Sequence, residues 1–460
     1  MSRFRLQSLK PLIRCVTVIQ GQINVRTLRR GLKSKHLIQL FLFLKKRVRL
    51  SGINNKSKKK IMNQIDQIIH FIQSFRRNPS HPIIRRMRCR MVQLKSQLKS
   101  NLDTSSGTNA YILNQNANVV SVLNTVTDNQ IIKFNSQSQP VYAAIASPNL
   151  DKVYIANQGT SNPGKVTEYT VSTNTATTIT VGNNPVWVSS SQDGKSIYTA
   201  NRGSNNITRI PIGGSDTRRN VAVGRTPSSL ALSQVNQIPK LYVANSGDST
   251  VSVLNASTLD HLGTITVGSN PIQVASSPDG TKVYTANRSE NTVSIISTDN
   301  DSPISVPKLN VGGRPLFIRF DSNKSNPRAY ISTSSNDRLV VINVNQSKVI
   351  KTITLSGNNP TVSTISPDNQ TLYVVQQNPK LVSVIDTQTL KVVKQIKFSD
   401  PPTYAEIVPD GSKVYVTLIN SNRVATILTS NNSLSTTTDV FSNPRFIVTQ
   451  PVSVPSTTSS

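Results

Sequence analysis

The sequence predicts an all-β fold, a closed β-propeller of four-stranded blades, and three observations predict it. An apolar strand built around a tyrosine returns eight times, at Tyr111, Tyr154, Tyr198, Tyr242, Tyr284, Tyr330, Tyr373 and Tyr415, at intervals of 42 to 46 residues. A proline returns with the same period, at Pro140, Pro185, Pro227, Pro271, Pro315, Pro360, Pro402 and Pro444. The runs between these markers are short and β-branched, without the 3.6-residue stripe of a helix. A fixed period in this range marks an array of supersecondary units, each of which must stack on its neighbours to bury its apolar face.

The clearest unit spans residues 240–280, KLYVANSGDSTVSVLNASTLDHLGTITVGSNPIQVASSPDG. Its strands are LYVAN, TVSVLN, LGTITVG and PIQVASS, separated by Ser-Gly-Asp, Asn-Ala-Ser-Thr and Gly-Ser-Asn-Pro. The unit ends in Ser277-Pro278-Asp279-Gly280, where proline pre-sets φ and glycine tolerates a positive φ, so a tight reversal is expected. Each marker proline is expected to open a strand, the position where its missing N–H loses no ladder bond. Five repeats place a glycine just upstream, as in Val181-Gly182, Val223-Gly224 and Val267-Gly268.

Tyrosine strands and proline strands are equal in number but offset. The first tyrosine strand has no proline strand before it, and Pro444–Gln450 has no tyrosine strand after it. The ring is therefore expected to close by the last strand completing the first blade, which removes exposed sheet edges. The count gives eight blades, with seven as the alternative. The expected organisation is a basic extension over 1–107, the propeller over 108–452 and a flexible Ser/Thr/Pro tail over 453–460.

The motifs Tyr242-Val243-Ala244-Asn245, Tyr284-Thr285-Ala286-Asn287 and Tyr415-Val416-Thr417, with the VGxxP and SPDG signatures, resemble the Tyr-Val-Thr-Asn (YVTN) repeats of surface-layer and YncE-like β-propellers. The resemblance covers roughly residues 108 to 452 and departs at the asparagine in the last three repeats, where Thr333, Gln376 and Leu418 stand. It implies an exported or cell-surface protein, extracellular or periplasmic. It does not imply one activity, since the repeat is specific for the fold.

The first hundred residues read as a different protein. They hold 25 of the 52 Lys and Arg residues but only Asp66 of the 21 acidic ones, which leaves 27 − 20 = +7 for residues 101–460. Three readings compete: a basic arm for nucleic acid or anionic lipid, with Arg85, Arg86, Arg88 and Arg90; a targeting segment around Leu37–Leu44, which is too short to span a bilayer; and an upstream or frame-shifted extension foreign to the natural protein. Ile61, Ile65, Ile68, Ile69 and Ile72 fall on one face of a local amphipathic helix.

No catalytic constellation is legible past residue 100. The only histidine there, His261, falls in a turn by this reading, so neither a Ser-His-Asp triad nor a zinc set is available. Asp193, Asp279, Asp368 and Asp410 recur in the reversals and read as turn formers. No metal, no cofactor and no enzymatic activity is expected. The candidate ligand-binding residues lie on the face shared by the loop after the tyrosine strand and the loop into the proline strand: Arg202, Arg225, Arg288, Arg314, Asn201, Asn245 and Asn287. Arginine and asparagine donate well to carboxylate, phosphate or glycan oxygens, although asparagine also serves simply to form turns. The functional expectation is a non-enzymatic scaffold that binds a macromolecule or envelope polymer around the channel mouth, an anionic one if the arginines carry the contact. A nucleic-acid-binding propeller and a lactonase-like enzyme are the alternatives.

Overall fold

Short β-branched runs form strands, and those with apolar residues on both faces are buried from two sides. In the tyrosine strands nearly every residue is buried, as in Lys152–Asn157 and Ser196–Asn201. The computed structural model describes residues 65–66, 108–146, 151–160, 162–213, 218–235, 238–303 and 308–450. The chain divides into two units, residues 1–108 and 109–460. In the first, Ile65 and Asp66 are helical; the other readings made for residues 1–107, and the tail 453–460, lie outside the described residues.

The second unit is a ring of eight antiparallel sheets, one per tyrosine strand, which settles the count at eight blades. We number the blades in order of those strands. In every blade the proline strand is innermost, followed by the tyrosine strand, a third strand and an outer strand. In blade 2 these are Pro140–Ile145, Lys152–Asn157, Lys165–Thr170 and Thr175–Thr180. Each inner strand packs against the inner strands on either side, so the eight form the wall of a central channel. In blade 5 the outer strand is broken into Ser302–Pro303 and Leu309–Asn310.

The ring closes as expected. Pro444–Thr449 pairs with Asn109–Asn114, in the register Tyr111↔Val448, Ile112↔Ile447 and Leu113↔Phe446, and completes blade 1. A second clasp joins blade 8 to blade 1. Asp128, at the tip of the blade 1 turn with φ +62°, accepts hydrogen bonds from Lys413 Nζ at 2.7 Å and Tyr415 Oη at 2.6 Å. Blades 4 and 5 repeat this clasp with Lys240, Tyr242 and Asp301. The repeating tyrosine is thus an inter-blade wedge, a buried ring whose hydroxyl reaches the next blade's turn in four blades; Tyr198, for example, donates to the Ala256 carbonyl at 2.6 Å.

The marker prolines behave as anticipated in seven blades. In blade 7 the strand starts two residues earlier, at Asn358, ahead of Pro360. A bulge follows the proline throughout: Pro140 pairs with Asn157, yet Tyr142 already pairs with Ala156, and Pro185 and Trp187 repeat the shift. An inserted residue re-aims the side chains that follow it, and here it sets the phase of every inner strand alike. His261 corrects its assignment. It opens the outer strand of blade 4, exposed, instead of lying in the preceding turn.

Candidate ligand-binding site

The asparagines proposed as ligand donors are not on the surface. Asn201, Asn245 and Asn287 are fully buried at the ends of their tyrosine strands. Asn245 Nδ2 donates to Thr250 Oγ1 and Ser252 Oγ at 3.1 and 2.9 Å, and Asn287 Nδ2 bonds Thr292 and Ser294 in the same way. Asn201 holds Asn206 and Thr208. Each locks the second strand to the third. The upstream glycine belongs to the same lock: a Cβ on Gly224 would lie 2.7 Å from Asn245 Cγ. Their Nδ2 groups are thus committed to the lock, while Oδ1 of Asn201 and of Asn245 is buried without a partner.

The four arginines do share one face. Arg202 and Arg288 follow the tyrosine strands of blades 3 and 5, and their N–H groups bond the loops leading into those blades. Arg225 and Arg314 lie in the loops leading into blades 4 and 6. Their settings differ. Arg225 Nε is paired with Asp248 Oδ1 at 2.6 Å, Arg202 and Arg314 are exposed, and Arg288 is half-buried. The reversal aspartates are turn formers: Asp193 Oδ1 accepts from Ser191 Oγ and Lys195 N, and Asp410 from Ser412. The Ser191 and Lys195 bonds hold the Asp193 carboxyl below its ordinary range.

Sequence reasoning missed the channel itself. The residue two places after each proline forms a ring of eight positions, occupied by Tyr142, Trp187, Ser229, Gln273, Phe317, Val362, Tyr404 and Phe446. Four consecutive blades contribute a continuous aromatic arc. Tyr404 and Phe446 lie 4.5 Å apart between centroids, Phe446 and Tyr142 4.3 Å, and Tyr142 stacks on Trp187 at 3.8 Å and 22°. Such offset and tilted pairs fit the ring quadrupoles. The ring four places after each proline carries two charged residues, Arg319 in blade 6 and Glu406 in blade 8; the inner strands hold one more, Arg445 beside Pro444.

Both rings line a cavity of about 240 Å³. It touches Tyr142 of blade 2 and Phe317 and Arg319 of blade 6, which stand opposite each other in an eight-membered ring, so it sits on the channel axis. Arg319 Nε donates to the Ser363 carbonyl at 2.9 Å, and Nη2 reaches Glu406 Oε2 at 3.5 Å. The guanidinium carbon stands 5.4 Å from the Phe317 ring centroid. Burial lifts the Glu406 carboxyl above its usual range, with Arg319 opposing the rise. Burial also raises Tyr142 and Tyr404, so both phenols stay neutral and can donate. Among the described residues no three His, Cys, Asp or Glu side chains gather as a metal would require. The arrangement offers an apolar stacking wall faced by one cation and one carboxyl.

A signal for this site was present in the sequence, in five aromatics among the eight positions after the prolines. It is hidden because an apolar residue inside a strand reads as core until the strand is known to be the innermost.

No family model matches the chain, and no curated protein matches it. Among solved structures it is similar to the dihydro-heme d1 dehydrogenase NirN in complex with DHE, at 15% identity and a TM-score of 0.65 over 74% of each chain. It is also similar to AztD of Citrobacter koseri, at 13% identity and a TM-score of 0.58 over 75% of this chain and 97% of AztD, a protein solved in an apo form as well. Likeness at this identity establishes the eight-bladed fold. It also corrects the functional expectation: the propellers that this ring resembles are a ligand-bound dehydrogenase and a protein with an apo state, not surface scaffolds for macromolecules.

Proposed function

We propose that this propeller binds a small, planar, largely apolar molecule inside its central channel. The observation that carries the reading is the aromatic arc Tyr404–Phe446–Tyr142–Trp187, of which Tyr404, Phe446 and Tyr142 line an axial cavity. Ligand sites are concave and mostly apolar, with a few converging polar groups, and the two channel rings supply that combination. NirN, a propeller of similar fold, is a protein in complex with a ligand, which accords with the reading. The kinship with YVTN-type repeats and an exported location belong to the same proposal and rest on the tyrosine motif.

Trp187 is the only tryptophan of the chain and stacks on Tyr142, which lines the cavity, so its emission reports on a ligand one ring away. Titration with neutral 2-naphthylmethanol should quench Trp187, and Tyr142→Ala and Phe446→Ala should weaken that binding at least tenfold while leaving the circular dichroism unchanged. Emission that does not respond to the probe overturns the proposal.

A further inference from the structure

The Arg319–Glu406 pair goes further than the aromatic arc, because it selects among planar molecules. We propose that the channel ligand is a planar aromatic carboxylate, its rings on the arc and its carboxylate on Arg319, displacing Glu406. The inference rests on the channel being a ligand site, and it specifies the ligand's charge.

Three observations carry it. First, Arg319 is held at one edge only. Nε is fixed by Ser363 O, Nη2 reaches Glu406, and Nη1 has no protein partner among the described residues. The side chain is 28% exposed and lines the cavity. A planar guanidinium so anchored presents a fork that matches a carboxylate. Second, the contact with Glu406 is slack. At 3.5 Å it is well beyond the 2.7–2.9 Å usual for charge-assisted bonds, and among the described residues it is the one bond the Glu406 carboxyl makes to a side chain. A ligand carboxylate forming two short bonds replaces a weaker partner. Third, the space suffices. A cavity of about 150 Å³ accommodates benzene, so about 240 Å³ admits a bicyclic ring beside Tyr142, Tyr404 and Phe446, in a cavity whose exposed lining is mainly polar.

Glu406 then acts as the competitor for Arg319. Its charged neighbour is Arg319, and the other titratable groups near it are the phenols of Tyr404 and Tyr142, which burial keeps neutral. Protonating Glu406 removes the negative charge that opposes the ligand and frees the guanidinium. Affinity for the carboxylate should therefore rise as pH falls through the raised Glu406 titration, for as long as the ligand itself stays ionised.

The test is calorimetric titration of the full chain with 2-naphthoate, 2-naphthylmethanol and 2-naphthylmethylammonium at pH 7. The expected result is naphthoate at least tenfold tighter than the alcohol, with the ammonium weakest. Arg319→Gln should abolish that preference while keeping the affinity for the alcohol, which also shows that the variant folds. Glu406→Gln should tighten naphthoate binding and flatten its pH dependence. Equal affinities, or preference for the ammonium, overturn this inference and leave the channel reading standing. Failure of all three to bind overturns both.

Discussion

Replacing Asp128 by alanine tests how the ring is clasped. Its carboxylate receives Lys413 Nζ at 2.7 Å and Tyr415 Oη at 2.6 Å, and the Lys413 and Asp128 side chains are only 14% and 13% exposed. Removing one partner of a buried ion pair typically costs about 3–5 kcal/mol, because the other charge stays behind uncompensated. Lys413 keeps the Thr125 and Val126 carbonyls at 3.1 and 3.2 Å, which places the loss at the lower end, about 3 kcal/mol. At roughly 2 °C per kcal/mol for a unit this large, Tm should fall by about 6 °C. Urea unfolding of Asp128→Ala, Lys413→Met and the double variant gives a thermodynamic cycle, and the double variant should recover part of the loss. Asp248→Ala is the comparison, since its partner Arg225 is 72% exposed; it also gives up the bond from Arg225 N, yet should move the transition far less than Asp128→Ala. A loss below about 1 kcal/mol for Asp128→Ala would refute the clasp and leave the closing strand and the apolar packing between blades 8 and 1 to hold them together.

Other expectations follow from the same geometry. Asn245→Ala should destabilise the fold by about 2 kcal/mol through two lost buried hydrogen bonds, read by denaturant melting. Gly224→Ala should also destabilise, and less so in an Asn245→Ala background, since its Cβ collides with that side chain. The raised Glu406 carboxyl binds its proton more tightly folded than unfolded, so its share of stability is greatest in acid. That share should decline as pH rises from about 4.3, the unfolded value, to the folded pKa, and stay level above it; subtracting the Glu406→Gln stability profile isolates this fall. Removing residues 444–450 should expose the edge of Asn109–Asn114 and give aggregation detectable by light scattering.

The fold was legible because its markers are local. A tyrosine wedge and a strand-opening proline announce themselves by residue type, and their offset by one announced the closing strand. The eight-bladed count followed directly. The lock asparagines were misplaced for a physical reason: an asparagine at a strand end is a surface donor or a buried lock depending on what packs over it. The pairing of Asn245 with Ser252, and of Asn287 with Ser294, seven residues on, was visible but uninterpretable before the register was known. The channel site was less accessible still. Tyr142 and Trp187 look like any apolar strand residues, and only radial order in the sheet, a non-local property, puts them on the axis. Arg319 and Glu406 stand 87 residues apart and meet across blade 7.

The closing strand has a further consequence, for synthesis. Asn114 pairs with Pro444, which emerges 444 − 114 = 330 residues later. At roughly 5–20 residues per second, blade 1 waits tens of seconds as a three-stranded sheet with an open inner edge, while seven blades accumulate behind it. Throughout that interval the nascent chain carries an unpaired template that any extended segment can occupy. Yield of the native protein should therefore depend on what shields that edge on the ribosome, and slowing translation should lower it, the reverse of the usual benefit of slow synthesis.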